Sequence, residues 1–207
     1  MHGASNPEKL GWSAFLGESR AVAAIEFAIV LPLFLIAYLG VVETTLAIET
    51  RKKVDRIGSQ VADLVTQQQT TTKAKLDAIL TIADSLIQPY RRSAPTITIT
   101  AIQVDNVYRQ RVAWSRTRNA DGTAGVGQAS NAVVTILGTT PSQNLFTIGN
   151  FVIQVSTSLT YYPLMTWSPD AKTALGITGA FDFLNFQSTY LFRPRSGLPI
   201  GCSDCMS

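Results

Sequence analysis

Imidazole and thiol are nearly absent from this chain: one histidine, His2, and two cysteines, Cys202 and Cys205, in 207 residues. Ser-His-Asp and Cys-His arrangements need a histidine in the folded part, so nucleophilic catalysis of that kind is excluded, and the cysteines lack a base partner. Zinc needs about four ligands, more than this inventory supplies beside a pair of cysteines, so no metal is expected. Phosphate-cradling motifs of the G-x-x-x-x-G-K-[ST] or strand-linked G-x-G-x-x-G type are missing too, which removes nucleotide cofactors. Charge is scarce, with 15% charged residues and a net charge of +3, and the basic residues form no stripe with interleaved aromatics. Neither nucleic acid nor a small-molecule substrate is therefore an expected partner. The acids Asp63, Asp77, Asp84, Asp105, Asp121, Asp170 and Asp182 read as solvated faces and turns; an anchored enzyme would need two of them facing each other in a cleft. The inventory points to a structural or interaction protein rather than an enzyme.

What the chain does have is AVAAIEFAIVLPLFLIAYLGVV, Ala21 to Val42, with one carboxylate, Glu26, near its start. At 1.5 Å rise per residue, about 20 helical residues match a hydrocarbon core of roughly 30 Å, and this run reaches that length. Three readings compete. A removed signal peptide needs a shorter apolar centre and a small-x-small cleavage site, whereas here GVVETTLAIETRKK follows. A buried core helix needs an amphipathic stripe, which is absent between Phe27 and Val42. A retained membrane anchor fits both length and flanks, and Pro32 does not exclude it, since membrane helices tolerate proline with a kink.

Beyond the anchor, about 150 residues suffice for one domain with a core of its own. The helical period continues past the membrane run: Leu46, Ile48, Val54, Ile57, Val61, Leu64 and Val65 recur at three- and four-residue steps, with Glu49, Arg51, Lys52, Asp55 and Arg56 on other faces. The polar run Thr66 to Lys73 breaks it. Leu76, Ile79, Leu80, Ala83, Leu86 and Ile87 then define a second amphipathic helix that ends before Pro89. After Pro95 the period falls to 2. TITITAIQVD alternates Ile97, Ile99, Ala101 or Ile102, and Val104 against threonines and Gln103, as a half-buried strand does. VYRQRVAWSR predicts a second strand, with Tyr108, Gln110, Val112 and Trp114 on one face. Asn119 to Gly125 reads as a turn or open loop. NAVVTILG, Phe151 to Pro163 and QSTYLFRPR complete the strand candidates. Two helices followed by strands, rather than alternating with them, predict an α+β domain whose antiparallel sheet lies against the long helix.

The two cysteines form CSDC inside the Pro/Gly-rich tail SGLPIGCSDCMS. No helix follows it, so the redox-active C-x-x-C reading is poor. What remains is a local disulfide between Cys202 and Cys205 in an oxidising compartment, the favoured reading, or two cysteines free to pair with a partner. The loop such a bridge closes is too short to add much stability.

The residues RAVAAIEFAIVLPLFLIAYLGVVE, Arg20 to Glu43, resemble the N-terminal signature of the TadE/TadG-like proteins of tight-adherence (Flp, type IVc) pili. The shared elements are a basic residue before a small-residue run, Glu26 followed by Phe27, the unbroken apolar helix with Pro32, and Glu43; RIGSQVADLV is also similar. The resemblance is specific over about the first third of the chain. It implies a pilin-like protein: a minor pilin or pilus-assembly component whose partners are the membrane, other pilins and assembly proteins, and a prepilin peptidase if it is cleaved. In that class the cut leaves a glutamate as fifth residue of the mature chain, which places it between Ala21 and Val22. Glycine usually precedes the cut and here Ala21 does, so two forms stay open: a cleaved minor pilin, favoured because alanine is the smallest conservative replacement, and an uncleaved periplasmic scaffold.

A lone carboxylate at membrane depth is costly, so Glu26 is expected to sit at the interface or to pair with a cation. In the cleaved form that cation is the new α-amino group of Val22 on a neighbouring subunit. The plain alternative is an acid at a helix N-terminus, favoured by the helix dipole. The expected organisation is a cytoplasmic leader (1–20), a transmembrane helix (21–42), a helical stalk (43–90), a β-rich exported domain (91–195) and a cysteine-bearing tail (196–207). Only Lys9 and Arg20 precede the span while Arg51, Lys52, Lys53 and Arg56 follow it, so a plain positive-inside count opposes export. Long domains translocate largely regardless of flanking charge, and Arg20 is the closest cation to the membrane, which favours a single-pass inner-membrane protein with its C-terminal domain outside the cytoplasm.

Overall fold

The structure, a computed structural model, describes residues 19–134, 147–164, 173 and 182–205. The leader 1–18, the end of NAVVTILG from residue 135, Asp170 and the last two residues lie outside the described part. The elements, in chain order, are α1 (Ser19–Thr66), β1 (Thr70–Thr71), α2 (Lys73–Leu86), β2 (Thr96–Val104), β3 (Gln110–Arg118), β4 (Ala124–Gly125), β5 (Phe151–Tyr161), β6 (Leu184–Phe192) and β7 (Gly201–Cys202). The class is α+β. The chain divides into two compact units, Met1–Thr45 and Leu46–Ser207.

In the first unit the described residues are all helical, part of the 48-residue α1, with Pro32 inside it. Every residue from 22 to 41 is exposed. The hydroxyls near the end of this stretch are turned back onto the helix: Thr44 and Thr45 donate to the carbonyls of Gly40 and Val41, at 2.8 and 2.9 Å. Such back-bonding satisfies the hydroxyl within the helix itself.

The second unit is built on one sheet of order β4-β3-β2-β5-β6, antiparallel throughout. Val54, Ile57, Val61, Ala62 and Val65 of α1 and Leu76, Leu80 and Ala83 of α2 are fully buried in one cluster with Ile97, Ile99 and Ala101 of β2 and Ile153 and Val155 of β5. Both stripes therefore cover a single face of the sheet, which is what their three- and four-residue spacing requires. The other face carries the threonines of TITIT. Thr98 lies 3.0 Å from Thr117 and Thr100 lies 3.2 Å from Ser115, cross-strand hydroxyl pairs that satisfy one another.

Boundaries follow local chemistry. α2 starts where Thr72, in extended conformation, accepts a hydrogen bond from the N–H of Lys75. β3 begins at Gln110, three residues later than the alternation alone predicts, because the Asp105 carboxylate gathers the N–H groups of Val107 and Arg109 and closes a turn over Asn106–Arg109. β6 begins at Leu184, earlier than the predicted Gln187, through its register with β5. Of NAVVTILG, Val133 makes one bridge, to Arg111. The ambiguity between Ala101 and Ile102 has a physical origin: the β2–β3 register shifts there, Ala101 facing Trp114 and Ile102 facing Val112, so both are buried.

Candidate anchoring and assembly site

Val22 and Glu26 stand four residues apart on α1, one turn along the same face, with Phe27 beside them. All three are exposed, Phe27 at 66%. Ala21 lies in the same helix. The surrounding surface is apolar on every side: Ile29, Leu33, Phe34, Tyr38 and Val41 are each exposed by more than 60%. Among the described residues nothing covers this apolar surface, which fits a helix able to cross a membrane better than the one-sided stripe of a core helix. The span criteria of length and composition are met by α1 from Val22.

Cys202 and Cys205 lie in the second unit, joined by a disulfide with Cα atoms 5.5 Å apart. With Asp204 their donor atoms fall within 4.8 Å of one another. That spacing suits a metal, but the sulfurs are bonded to each other and so offer no thiolate. Instead Asp204 accepts a hydrogen bond of 2.8 Å from the N–H of Lys73 and caps α2 at its positive end. The tail around it is docked, not loose: β7 pairs in parallel with β1, Ile200 is buried, the indole N–H of Trp114 donates to the Ile200 carbonyl at 2.8 Å, and the N–H of Arg195 donates to Thr66 at the end of α1. Pro/Gly richness signalled a loop but carried no sign of docking, since the groups that hold the tail lie more than 80 residues away in the chain for Trp114.

Of the acids singled out in the sequence, Asp63, Asp77, Asp84, Asp105 and Asp121 are each engaged with a cation or a hydroxyl. Asp77 and Asp84, a helical spacing apart on α2, hold Arg116 and Arg118 of β3 in two-pronged pairs with contacts of 2.6 to 2.8 Å. The Asp77 hydrogen bond raises Arg116 above its ordinary value. Asp63 pairs with Arg195 and Asp121 with Thr123. Desolvation acts to raise Asp105, but the N–H groups of Arg109 and Val107 and the guanidiniums of Arg111 and Arg109 outweigh it and hold its carboxyl at about 2. Beside it lies a cavity of about 310 Å³, lined by Gln103, Asp105, Arg111, Asn131 and Gly149. Its acid and its guanidinium satisfy one another at 3.0 Å.

Residues 21–63 match the family model described as TadE-like protein. The match covers the exposed apolar stretch and the first part of its amphipathic continuation. No match was found among curated proteins or among solved structures. The chain thus carries a TadE-like region over residues 21–63, in a chain whose described residues have an α+β architecture.

Proposed function

We propose that this protein is a membrane-anchored, non-enzymatic component of tight-adherence pilus assembly, and within that role a minor pilin. The coincidence of the TadE-like match with the fully exposed apolar helix carries the reading. Residues 21–42 serve as the single span in the inner membrane, and the unit from Leu46 works outside the cytoplasm, where the Cys202–Cys205 disulfide is stable. Cleavage by a prepilin peptidase between Ala21 and Val22 frees an α-amino group one turn from Glu26. That amine is the partner for the Glu26 carboxylate of a neighbouring subunit, setting the register in which the helices bundle. Phe27 and the apolar helix after it supply the packing surface for other pilins and assembly proteins.

The second reading, an uncleaved single-pass scaffold of the pilus or secretion machinery, rests on one observation: Ala21 stands where glycine usually precedes the cut. Intact mass and N-terminal sequencing of the membrane-extracted protein separate the two. A chain starting at Val22 is the expected result; a retained Ser19 region sinks the cleavage claim and leaves the scaffold.

A further inference from the structure

The second unit exposes an apolar and cationic rim at one end of its sheet. Tyr162 (45%), Leu164 (57%), Phe183 (54%) and Leu184 (41%) are exposed where β5 ends and β6 begins. Tyr162 is rigidly placed: its N–H donates to the Tyr90 hydroxyl at 2.8 Å and its carbonyl accepts from Arg92 at 2.7 Å, while the Arg92 guanidinium lies 5.9 Å from the centre of the Tyr90 ring. Arg91 is exposed beside it.

This is the end at which α1 comes into the unit. Thr66, at the C-terminus of α1, is bonded to Arg195, just past the end of β6, and a side chain at Gly58 would meet Tyr190 and Thr157 in mid-strand. The helix therefore runs alongside β6 in the same direction, and Leu46 to Thr50 lie at the Tyr161–Leu184 end. Arg51 and Lys52, exposed on that turn, add to the cations. The acids near them are Glu43 in the tether, Glu49, which is taken up by Lys53 at 3.1 Å, Asp55 one turn after Arg51, and Asp182 beside Phe183.

We propose that this end of the second unit is a docking surface for the headgroup region of an anionic bilayer, with the Tyr162, Leu164 and Phe183 side chains at the level of the headgroups and Arg91 and Arg92 on lipid phosphates. Only Glu43, Thr44 and Thr45 separate Val42 from Leu46, so the tether holds this end within a few residues of the lipid. An amphipathic tyrosine ring flanked by apolar side chains and arginines is a composition that favours the interface of an anionic bilayer. The inference rests on the reading of residues 21–42 as the membrane span.

Site-directed spin labelling of the full chain in vesicles of phosphatidylglycerol and phosphatidylcholine in equal parts tests it. The native cysteines are both in the disulfide, so an introduced thiol is labelled alone. Labels at Leu164→Cys and Phe183→Cys are expected to be several-fold more accessible to oxygen, relative to a water-soluble nickel chelate, than a label at Tyr108→Cys, which sits at the β2–β3 turn. Phe34→Cys reports on the span. If 164 and 183 are as open to the chelate as 108 while 34 is in lipid, the headgroup surface is overturned and the anchor stands. If 34 is open to the chelate as well, both fall. Equal oxygen accessibility in phosphatidylcholine alone overturns the assignment to anionic lipid.

Discussion

The two stretches of α1 share a helix and differ in what they do with apolar side chains. Residues 22–41 expose all of them, whereas Val54, Ile57, Val61 and Val65 are completely buried by the sheet and α2. The first stretch is apolar on every side and carries Glu26 as its one charge up to Val42; the second alternates apolar steps with Arg51, Lys52, Asp55 and Arg56. The contrast shows two ways in which one helix satisfies the hydrophobic effect. An all-round apolar surface fits lipid, and a stripe fits a sheet. It also separates anchoring from folding, because substitutions in the two stretches should fail differently.

The largest difference is expected from arginines. Leu33→Arg with Ile36→Arg places two charges at the centre of the span, at about 2.5–3.5 kcal/mol each on insertion scales. Membrane fractionation should find the protein lost from the membrane. Val61→Arg should instead leave it membrane-bound but sensitive to protease in the second unit, and release into the soluble fraction would break the comparison. Next comes Ile57→Ala, which empties a fully buried site and should cost about 2–5 kcal/mol by urea denaturation of the extracted protein. Ile29→Ala, exposed in the span, should leave the urea midpoint unchanged.

A smaller effect of opposite sign is expected at Thr157. Its hydroxyl is buried on the helix-facing side of β5 with no hydrogen-bond partner among the described residues, and the Ser188 hydroxyl opposite it in register shares that state. Thr157→Val keeps the shape and removes the unsatisfied group, so stability should rise by about 1 kcal/mol. A lower urea midpoint would show that the hydroxyl is solvated by a trapped water.

The smallest effect is one whose pH dependence falls in the acid range. Asp105 is depressed in the folded state, from 3.8 to about 2, so its contribution is complete above about pH 4 and is lost as the pH falls towards 2. Asp105→Asn should lower the urea midpoint at neutral pH, where the contribution is present, and converge on the parent as the pH falls towards 2, which flattens the acid limb of the stability profile. No acid dependence should arise from residues 27–42, which carry no carboxylate.

Periodicity made much of this fold legible. The stripe of α1, the second helix before Pro89 and the strands at Thr96–Val104 and Phe151–Tyr161 follow from spacing and β-branching, because each such signal lies within a dozen residues. Turns closed by side chains were harder: the Asp105 carboxylate delays β3, a matter of geometry rather than hydrophobicity. The docking of Ile200 under Trp114 and the capping of α2 by Asp204 left no local trace, since each joins groups far apart in the chain. Of the candidate site, Val22, Glu26, Phe27 and the cysteine pair stand out by residue type in an unlikely setting, an acid in an apolar run and a C-x-x-C at the end. Arg91, Arg92, Tyr162, Leu164 and Phe183 do not, because two segments 70 residues apart must first meet at the Arg92–Tyr162 contact.

By itself the sequence determined that one segment is long and apolar enough to cross a membrane and that helices precede strands, since both depend on the local density and period of apolar side chains. Only the tertiary structure decided the strand order β4-β3-β2-β5-β6, the face the helices cover and which exposed residues gather at the end where α1 comes in. These depend on pairing between distant segments, whose free energy is set by the fit of whole surfaces and leaves no periodic mark in either partner.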